Sequence, residues 1–245
     1  VGAGEVAVGD EELSVHRIDH QVARRHEQIL PGRRFVAVGI VVLHLVDADT
    51  EATRRAVGAD RDDAVAAAAG RGAPDLDVWR DEELVQFPGY NTDVFFSEAM
   101  AWIAAQKQPF FVYLAPTAAH EPHYVPSQYA KPYEDLPGVL PAFYGMAANL
   151  DENVGRLREF LATHGLERDT IVIYMTDNGS VERTGYYNAE MRGRKGSLYD
   201  GGHRVPFFLH WPGGENLTAP RSFGQPTHGT DLVPTLLDLC RVSAP

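Results

Sequence analysis

Two oxygen-bearing side chains stand side by side just after an apolar run. Asp177 and Asn178 follow Thr170–Met175, a β-branched and aromatic stretch typical of a buried strand. We expect the pair at the carboxyl end of that strand, where open α/β sheets bind ligands. Carboxylate and amide oxygens suit a hard cation such as Ca²⁺ or Mg²⁺ better than Zn²⁺. The pair also fits an Asx turn that ends the strand, and both interpretations stay open.

A cationic, glycine-rich loop follows further along the chain. Lys195 lies in the run RGRKGS, between Gly193 and Gly196, and Gly201 and Gly202 come shortly after it. Glycines let the backbone approach a ligand closely, and a lysine can hold an anionic oxygen as a point charge. For Lys195 taken singly, an ordinary exposed loop lysine is the simpler interpretation.

A histidine pair follows a second apolar run. His120 and His123 come after Phe110–Leu114, which has the pattern of another buried strand. Because histidine titrates near neutral pH, either ring could bind an anion or protonate a leaving oxygen. A polar turn is the alternative. Taken together, the three positions favour a catalytic site over ordinary turns. A pair of cation ligands, an imidazole and an ammonium group suit metal-assisted hydrolysis of an oxyanion ester.

The elements that would position these groups alternate between helix and strand. The sequence predicts an amphipathic helix, a strand, a long helix and a second strand in succession. Such alternation predicts an α/β fold with a mainly parallel sheet covered by helices. The predicted elements are helices Asn91–Gln106, Pro141–His164 and Leu232–Cys240, and strands Phe35–Val46, Phe110–Leu114, Thr170–Met175 and Val205–His210.

Length and charge narrow the function classes. The chain has 245 residues and a formal net charge of -12, so its overall field repels nucleic acid and anionic membranes. No apolar run reaches membrane-spanning length, and no signal peptide is visible on this chain, which leaves the compartment unassigned. We expect neither a nucleic-acid partner nor a transmembrane segment.

Residues 1–78 differ in composition from residues 79–245. Phe35 is the only aromatic residue of the first segment, which contains no lysine, whereas aromatics are dense from Trp79 onward. We therefore divide the chain into a segment 1–78 of unassigned character and a catalytic-type domain portion 79–245. The first segment is also typical of GC-rich DNA translated in another frame, so it could be foreign to the fold, a hypothesis that the gene sequence tests.

From Gly89 to Ala244 the chain resembles a sulfatase of the alkaline phosphatase superfamily. The resemblance is carried, in order, by four stretches: PFFVYLAPTAAHEPHYVP, YGMAANLDENVGRLREFLATHGLERDTIVIYMTDNGS, MRGRKGSLYDGGHRVPFFLHWPG and TDLVPTLLDL. It implies an alkaline phosphatase-like sulfatase fold, incomplete on this chain, and hydrolysis of sulfuric esters. The implied substrate is a sulfated small molecule or glycan.

The resemblance also implies roles for four residues. Asp177 and Asn178 would be metal ligands for a divalent cation, usually Ca²⁺ and less readily Mg²⁺. His120 would bind the sulfate near the leaving oxygen, and Lys195 would bridge sulfate and leaving oxygen, so both are implied as catalytic and substrate-binding residues. Relatives that cleave phosphate esters often have histidine at the position of Asn178, so the asparagine favours the sulfatase branch.

The chain departs from the family in two respects. Sulfatases convert a Cys or Ser of a C/S-x-P-x-R motif into formylglycine, the nucleophile, and neither that motif nor the family's N-terminal aspartate pair occurs here. We therefore expect a C-terminal portion of the catalytic domain, inactive alone. Two alternatives remain: a phosphodiesterase or phosphonate hydrolase of the same superfamily, and a catalytically dead module that binds sulfated glycans.

Overall fold

A computed structural model describes residues 39–44, 75–80, 83–180, 187–214, 222 and 224–239. The elements, in chain order, combine six strands with five helices among these residues. The strands are β1 Gly39–His44, β2 Asp75–Arg80, β3 Glu83–Pro88, β4 Phe110–Leu114, β5 Thr170–Met175 and β6 Phe207–His210; the helices are α1 Asn91–Ala105, α2 Ser127–Ala130, α3 Leu140–Thr163, α4 Asp200–His203 and α5 Leu232–Leu239.

The main sheet has four strands in the order β4-β1-β5-β6, and β2 pairs with β3 in a separate hairpin. The expected α/β class is confirmed, but the expectation of a mainly parallel sheet is wrong for the described strands. Each hydrogen-bonded pair is antiparallel: Ile40 of β1 pairs with both Leu114 and Tyr174, and Met175 pairs with Phe207. The reason is topological. β1 lies between β4 and β5, and the described part of the β5–β6 connection holds only the four-residue α4, whereas a parallel pair needs a longer crossover.

Helices cover both faces of this sheet. On one face, α1 and α3 pack against alternate residues of β4 and β5, including Phe110, Leu114 and Val172. On the other face, Ile171 and Ile173 are fully buried against Leu236 of α5. Because successive side chains of a strand point to opposite faces, β5 supplies both cores, which explains its uninterrupted apolar sequence.

The predicted helix and strand boundaries agree closely with the structure. α1 and α3 match their predicted spans within one residue, and β4 and β5 match fully. α3 begins beside Pro141 and ends before Gly165, whose φ of 71° is the left-handed geometry that favours glycine at a helix end. β6 is shorter than predicted, starting at Phe207 rather than Val205, and Cys240 lies outside the described residues.

The first segment contributes one strand to the main sheet. β1 lies inside the apolar run predicted as a strand at Phe35–Val46, which confirms that prediction in part. The proposed division at residue 78 falls within β2 and stays a prediction. In the described part of the chain, none of the helices is both long enough and apolar enough to cross a bilayer.

Candidate active site

Three loops leave or enter the main sheet at one edge. β4 and β5 are both antiparallel to β1 and therefore run in the same direction, so their carboxyl ends lie together. The amino end of β6 joins them, because Phe207 pairs with Met175. The loop after β4 carries His120, the loop after β5 carries Asp177 and Asn178, and the loop before β6 carries Lys195. The topology thus gathers all four predicted site residues at a single edge.

Asp177 is the electrostatic centre of this edge. Burial raises the pKa of its carboxyl, and the nearby charges of Lys195 and then of His120 lower that pKa in part, as do backbone hydrogen bonds. The Asp177 residue as a whole is exposed, so the desolvation of its carboxyl is only partial and the rise in its pKa is limited by contact with water. Basic side chains from two other loops therefore act on one carboxylate.

Asn178 shares the space beyond β5 with Asp177. Its side-chain Nδ2 donates to Oδ2 of Asp177, so the two side-chain heads lie against each other. Such a pair can present oxygens to one hard cation. In the part of the chain that the structure describes, no group of three or more His, Cys, Asp or Glu residues could hold a metal. The oxygens of Asp177 and Asn178 are of the type that a hard cation binds. They supply only part of the shell of about six or more oxygens that Ca²⁺ prefers.

The loop before β6 that carries Lys195, residues 192–202, is called the lysine loop below. Backbone hydrogen bonds connect it to the loop after β5. The Lys195 amide donates to the Ser180 carbonyl over 2.9 Å, and the Gly179 amide donates to the Gly202 carbonyl over 3.1 Å. A Cβ atom on Gly179 would lie 1.8 Å from the Gly201 carbonyl oxygen. The two loops can approach this closely only because glycine occupies the contact.

The lysine loop is also closed on itself. The Arg192 guanidinium stacks 3.7 Å from the centre of the Tyr199 ring, and the Gly201 amide donates to the Arg192 carbonyl over 2.8 Å. Gly193 and Gly196 adopt φ angles of 86° and 80°, which side-chain-bearing residues rarely adopt. These contacts fix the segment that presents Lys195.

His120 lies in a short turn after β4 and is exposed. Its amide donates to the Thr117 carbonyl over 2.8 Å, and its Nδ1 lies 2.7 Å from the Glu121 carbonyl oxygen. A carbonyl can only accept, so in this contact Nδ1 carries a proton and donates it. His123 instead packs edge-on against Phe143, with 5.6 Å between ring centres, and joins a different group of aromatic residues.

Tyr113 belongs to this neighbourhood although sequence reasoning did not single it out. Tyr113 is half-exposed, and the partial burial of its hydroxyl, and then the negative charge of Asp177, raise the pKa of that hydroxyl. Tyr113 lies in β4, and its position in an apolar strand indicated only that it packs in the sheet. Its closeness to Asp177 depends on β1 bringing β4 and β5 into one sheet.

Comparison with known proteins gives a consistent result. The family model described as Sulfatase matches residues 58–242. The chain is 30% identical over 174 residues to the uncharacterized sulfatase YdeN of Escherichia coli, covering 69% of this chain and 30% of that protein. It is also 30% identical over 192 residues to rat N-acetylgalactosamine-6-sulfatase, covering 70% of this chain and 35% of that enzyme. The chain therefore spans about a third of the length of these relatives.

A solved structure gives the same architecture. A crystal structure of Ps i-CgsB in complex with k-i-k-neocarrahexaose superposes with a TM-score of 0.64 at 28% sequence identity. The superposition covers 69% of this chain and 38% of that one. The described elements are thus similar to part of a larger domain.

Proposed function

The chain belongs to the sulfatase family, and from this premise we propose that its three-loop edge is part of an active site that hydrolyses sulfate esters. At family level the chain is similar to part of sulfuric ester hydrolases that have the alkaline phosphatase-like fold. The observation that carries the proposal is the convergence of Lys195 and His120 on Asp177 from separate loops.

In this proposal Lys195 and His120 bind the sulfate group. The Lys195 ammonium offers a mobile positive charge to the sulfate oxygens and to the bridging oxygen. His120, with Nδ1 donating to the Glu121 carbonyl, would direct Nε2 toward the ester. In the doubly protonated ring Nε2 also carries a proton, which it can pass to the leaving oxygen, and the neutral Nδ1-protonated ring remains. Both interactions strengthen as negative charge develops on that oxygen, which is the condition for lowering the barrier.

Asp177 and Asn178 are proposed ligands of a calcium ion. When bound, the cation would neutralise sulfate charge and polarise the sulfur–oxygen bonds. Burial raises the pKa of Asp177, so the carboxylate is short of compensating charge, which a cation supplies. The further oxygens of the shell would come from groups other than these two side chains. Mg²⁺ is the second choice, because it demands a tighter octahedral shell.

The nucleophile is not among the 245 residues, so we propose that this chain binds but does not hydrolyse a sulfate ester by itself. For the substrate we propose a sulfated carbohydrate or small molecule. N-acetylgalactosamine-6-sulfatase among the relatives, and the carbohydrate bound to Ps i-CgsB, support this class.

Calorimetric titration with Ca²⁺ tests the metal assignment. We expect the chain to bind Ca²⁺ and Asp177→Ala to weaken that binding by about tenfold or more, since a carboxylate ligand is lost. Asp135→Ala is the matched control, because it removes an exposed loop carboxylate remote from this edge in sequence and should leave the affinity unchanged. Equal affinities for wild type and Asp177→Ala would remove the metal assignment.

Ligand titrations separate the remaining alternatives. The sulfatase proposal predicts that sulfate binding strengthens when Ca²⁺ is present. A sulfated-glycan-binding module without a metal would bind sulfated oligosaccharide equally well with and without Ca²⁺. Tighter binding of phosphate than of sulfate would instead favour a phosphodiesterase or phosphonate hydrolase.

A further inference from the structure

The turn that carries His120 is joined to the start of α1 by one side-chain hydrogen bond. Asn91 Nδ2 donates to Thr117 Oγ1 over 2.7 Å, between residues 26 positions apart in sequence. The other end of the same amide is already occupied, because Asn91 Oδ1 accepts from the Thr92 amide over 2.7 Å. The orientation of the Asn91 side chain is therefore fixed, with its donor aimed at Thr117.

Thr117 in turn determines the geometry at His120. The Thr117 carbonyl accepts the His120 amide and closes the turn, and the intervening Ala118 is 1% exposed. Within that turn the imidazole Nδ1 reaches the Glu121 carbonyl at 2.7 Å. Both the direction of the ring and the nitrogen that carries its proton thus depend on how the turn is held.

The helix end that holds Thr117 is itself anchored in the core. Asp93 Oδ1 accepts from Asn149 Nδ2 over 2.8 Å and from Asn153 Nδ2 over 2.7 Å. Both asparagines lie on α3 and are at most 1% exposed. Buried amides paired with a carboxylate are costly to separate, so the first turn of α1 cannot move independently of α3.

We propose that Asn91 and Thr117 are positioning residues for His120. They connect the Asp93–Asn149–Asn153 contact between α1 and α3 to the turn of residues 117–120. In this way they keep the neutral imidazole protonated at Nδ1, with Nε2 directed at the ligand. The proposal rests on the proposed function in one respect, namely that the ligand of His120 is a sulfate group.

Nitrogen NMR of the histidine rings tests this directly. The 245-residue chain is labelled with ¹⁵N-histidine, and His120→Gln identifies the His120 signals among the 10 histidines. At a pH where the ring is neutral, wild type should show the Nδ1-protonated tautomer. Thr117→Val, which keeps the side-chain shape and removes the hydroxyl, should give a mixture of the two tautomers, whereas Thr117→Ser should restore the wild-type spectrum.

Two further variants guard against a trivial loss of folding. Asn91→Ala removes the donor from the other side and should give the same mixed tautomer as Thr117→Val. Ser97→Ala removes a different α1 hydroxyl, which contacts the Asp93 carbonyl and Arg156, and should leave the His120 signals unchanged. If the Nδ1-protonated form persists in folded Thr117→Val and Asn91→Ala, the positioning role is wrong.

Sulfate titration of the same samples distinguishes this inference from the proposed function. We expect Thr117→Val to bind sodium sulfate about three- to tenfold more weakly than wild type, the usual effect of one lost hydrogen bond. If wild type and His120→Gln bind sulfate equally, the proposed function fails for His120. The tautomer result would still decide whether Asn91 and Thr117 hold the ring.

Discussion

Among single residues, Asp177 has the most unusual environment in the site, because the positive charges near it do not fully offset the loss of water around its carboxyl. The Asp177 carboxyl is held above its usual pKa by burial even though Lys195 and His120 act against that rise. A carboxylate in this state is suited to bind a cation, because a bound cation supplies the charge that lost hydration no longer provides. In the proposed function, Asp177 is therefore the residue at which Ca²⁺ binding would respond to the charges of Lys195 and His120.

Burial also raises the pKa of a core residue, Tyr90. Its side chain is 7% exposed, and among the described residues no group lies in hydrogen-bonding geometry with its hydroxyl. Burial raises the pKa of Tyr90 to about 12, offset in part by the neighbouring Thr92. The Thr92 hydroxyl itself contacts Asn91 Oδ1 at 3.4 Å. We infer that the Tyr90 hydroxyl opposes folding at every pH and more strongly in alkali.

Tyr90→Phe should accordingly raise the free energy of unfolding by up to about 1 kcal/mol at pH 8, because the variant no longer buries an unpaired hydroxyl. The folded-state pKa exceeds the unfolded value of 10.0. The Tyr90 contribution to wild-type stability therefore falls as pH rises from 10 toward 12, so the advantage of the variant should grow over that range. Urea unfolding of both proteins at pH 8 and pH 11 measures it. A variant that is less stable at pH 8 would mean that the hydroxyl has a partner.

At the scale of elements, the direction of β6 decides where Lys195 lies. Because β6 is antiparallel to β5, the loop before β6 opens at the edge where the loop after β5 begins. A parallel β6 would start at the opposite edge, and Lys195 would then lie far from Asp177. The backbone bonds from Lys195 to Ser180 and from Gly179 to Gly202 fasten the two loops.

Gly179→Ala should separate these two loops. The new Cβ would meet the Gly201 carbonyl oxygen at 1.8 Å and the carbonyl carbon at 2.9 Å, and backbone atoms cannot rotate away as a side chain can. We expect a loss of stability of about 1–3 kcal/mol and weaker calcium binding, measured by thermal unfolding and calorimetry.

Gly155→Ala is the matched control for that substitution. Gly155 lies in α3 and is exposed, and a Cβ atom added there would meet nothing beyond its own helix within 4 Å. Alanine should stabilise α3 by up to about 1 kcal/mol and leave calcium affinity unchanged. If Gly179→Ala behaves like Gly155→Ala, the loop contact does not position the site.

At the scale of the whole molecule, a chain with net charge -12 gathers its positive charge locally. Lys195 and His120 both act on the Asp177 carboxylate, so basic side chains are gathered at this edge although the overall field of the chain is negative. Part of the sheet surface beside this edge also remains open. Phe111 and Tyr113 of β4 are 40% and 48% exposed, in a chain that spans about a third of the length of the relatives described above.

The gene supplies the test at this scale. If the natural protein is an active sulfatase, the DNA upstream of the codon for Pro88 should encode a C/S-x-P-x-R motif in frame with residues 89–244. Sequencing that region decides the matter. An upstream frame without the motif would exclude formylglycine chemistry for the natural protein, whatever the metal titrations show.

Local sequence patterns were enough to predict the helices and strands and to identify the side chains that could bind a cation or an anion. The apolar runs fixed β4 and β5, the helical periodicity fixed α1 and α3, and the turn-forming residues placed His120 and Asp177 just beyond strand ends. These features depend on interactions between near neighbours in the chain, and neighbours are what a sequence pattern records. The order of the four sequence stretches was also specific enough to identify the sulfatase family.

The arrangement of the strands became known only from the folded chain. The periodicity of a strand is the same whether its partner is parallel or antiparallel, so the position of β1 between β4 and β5 left no mark in the sequence. Contacts such as Asn91 to Thr117 and Tyr113 beside Asp177 join residues that are far apart in the chain. Such contacts exist only once helices and strands have packed, because packing alone brings those side chains within reach of each other.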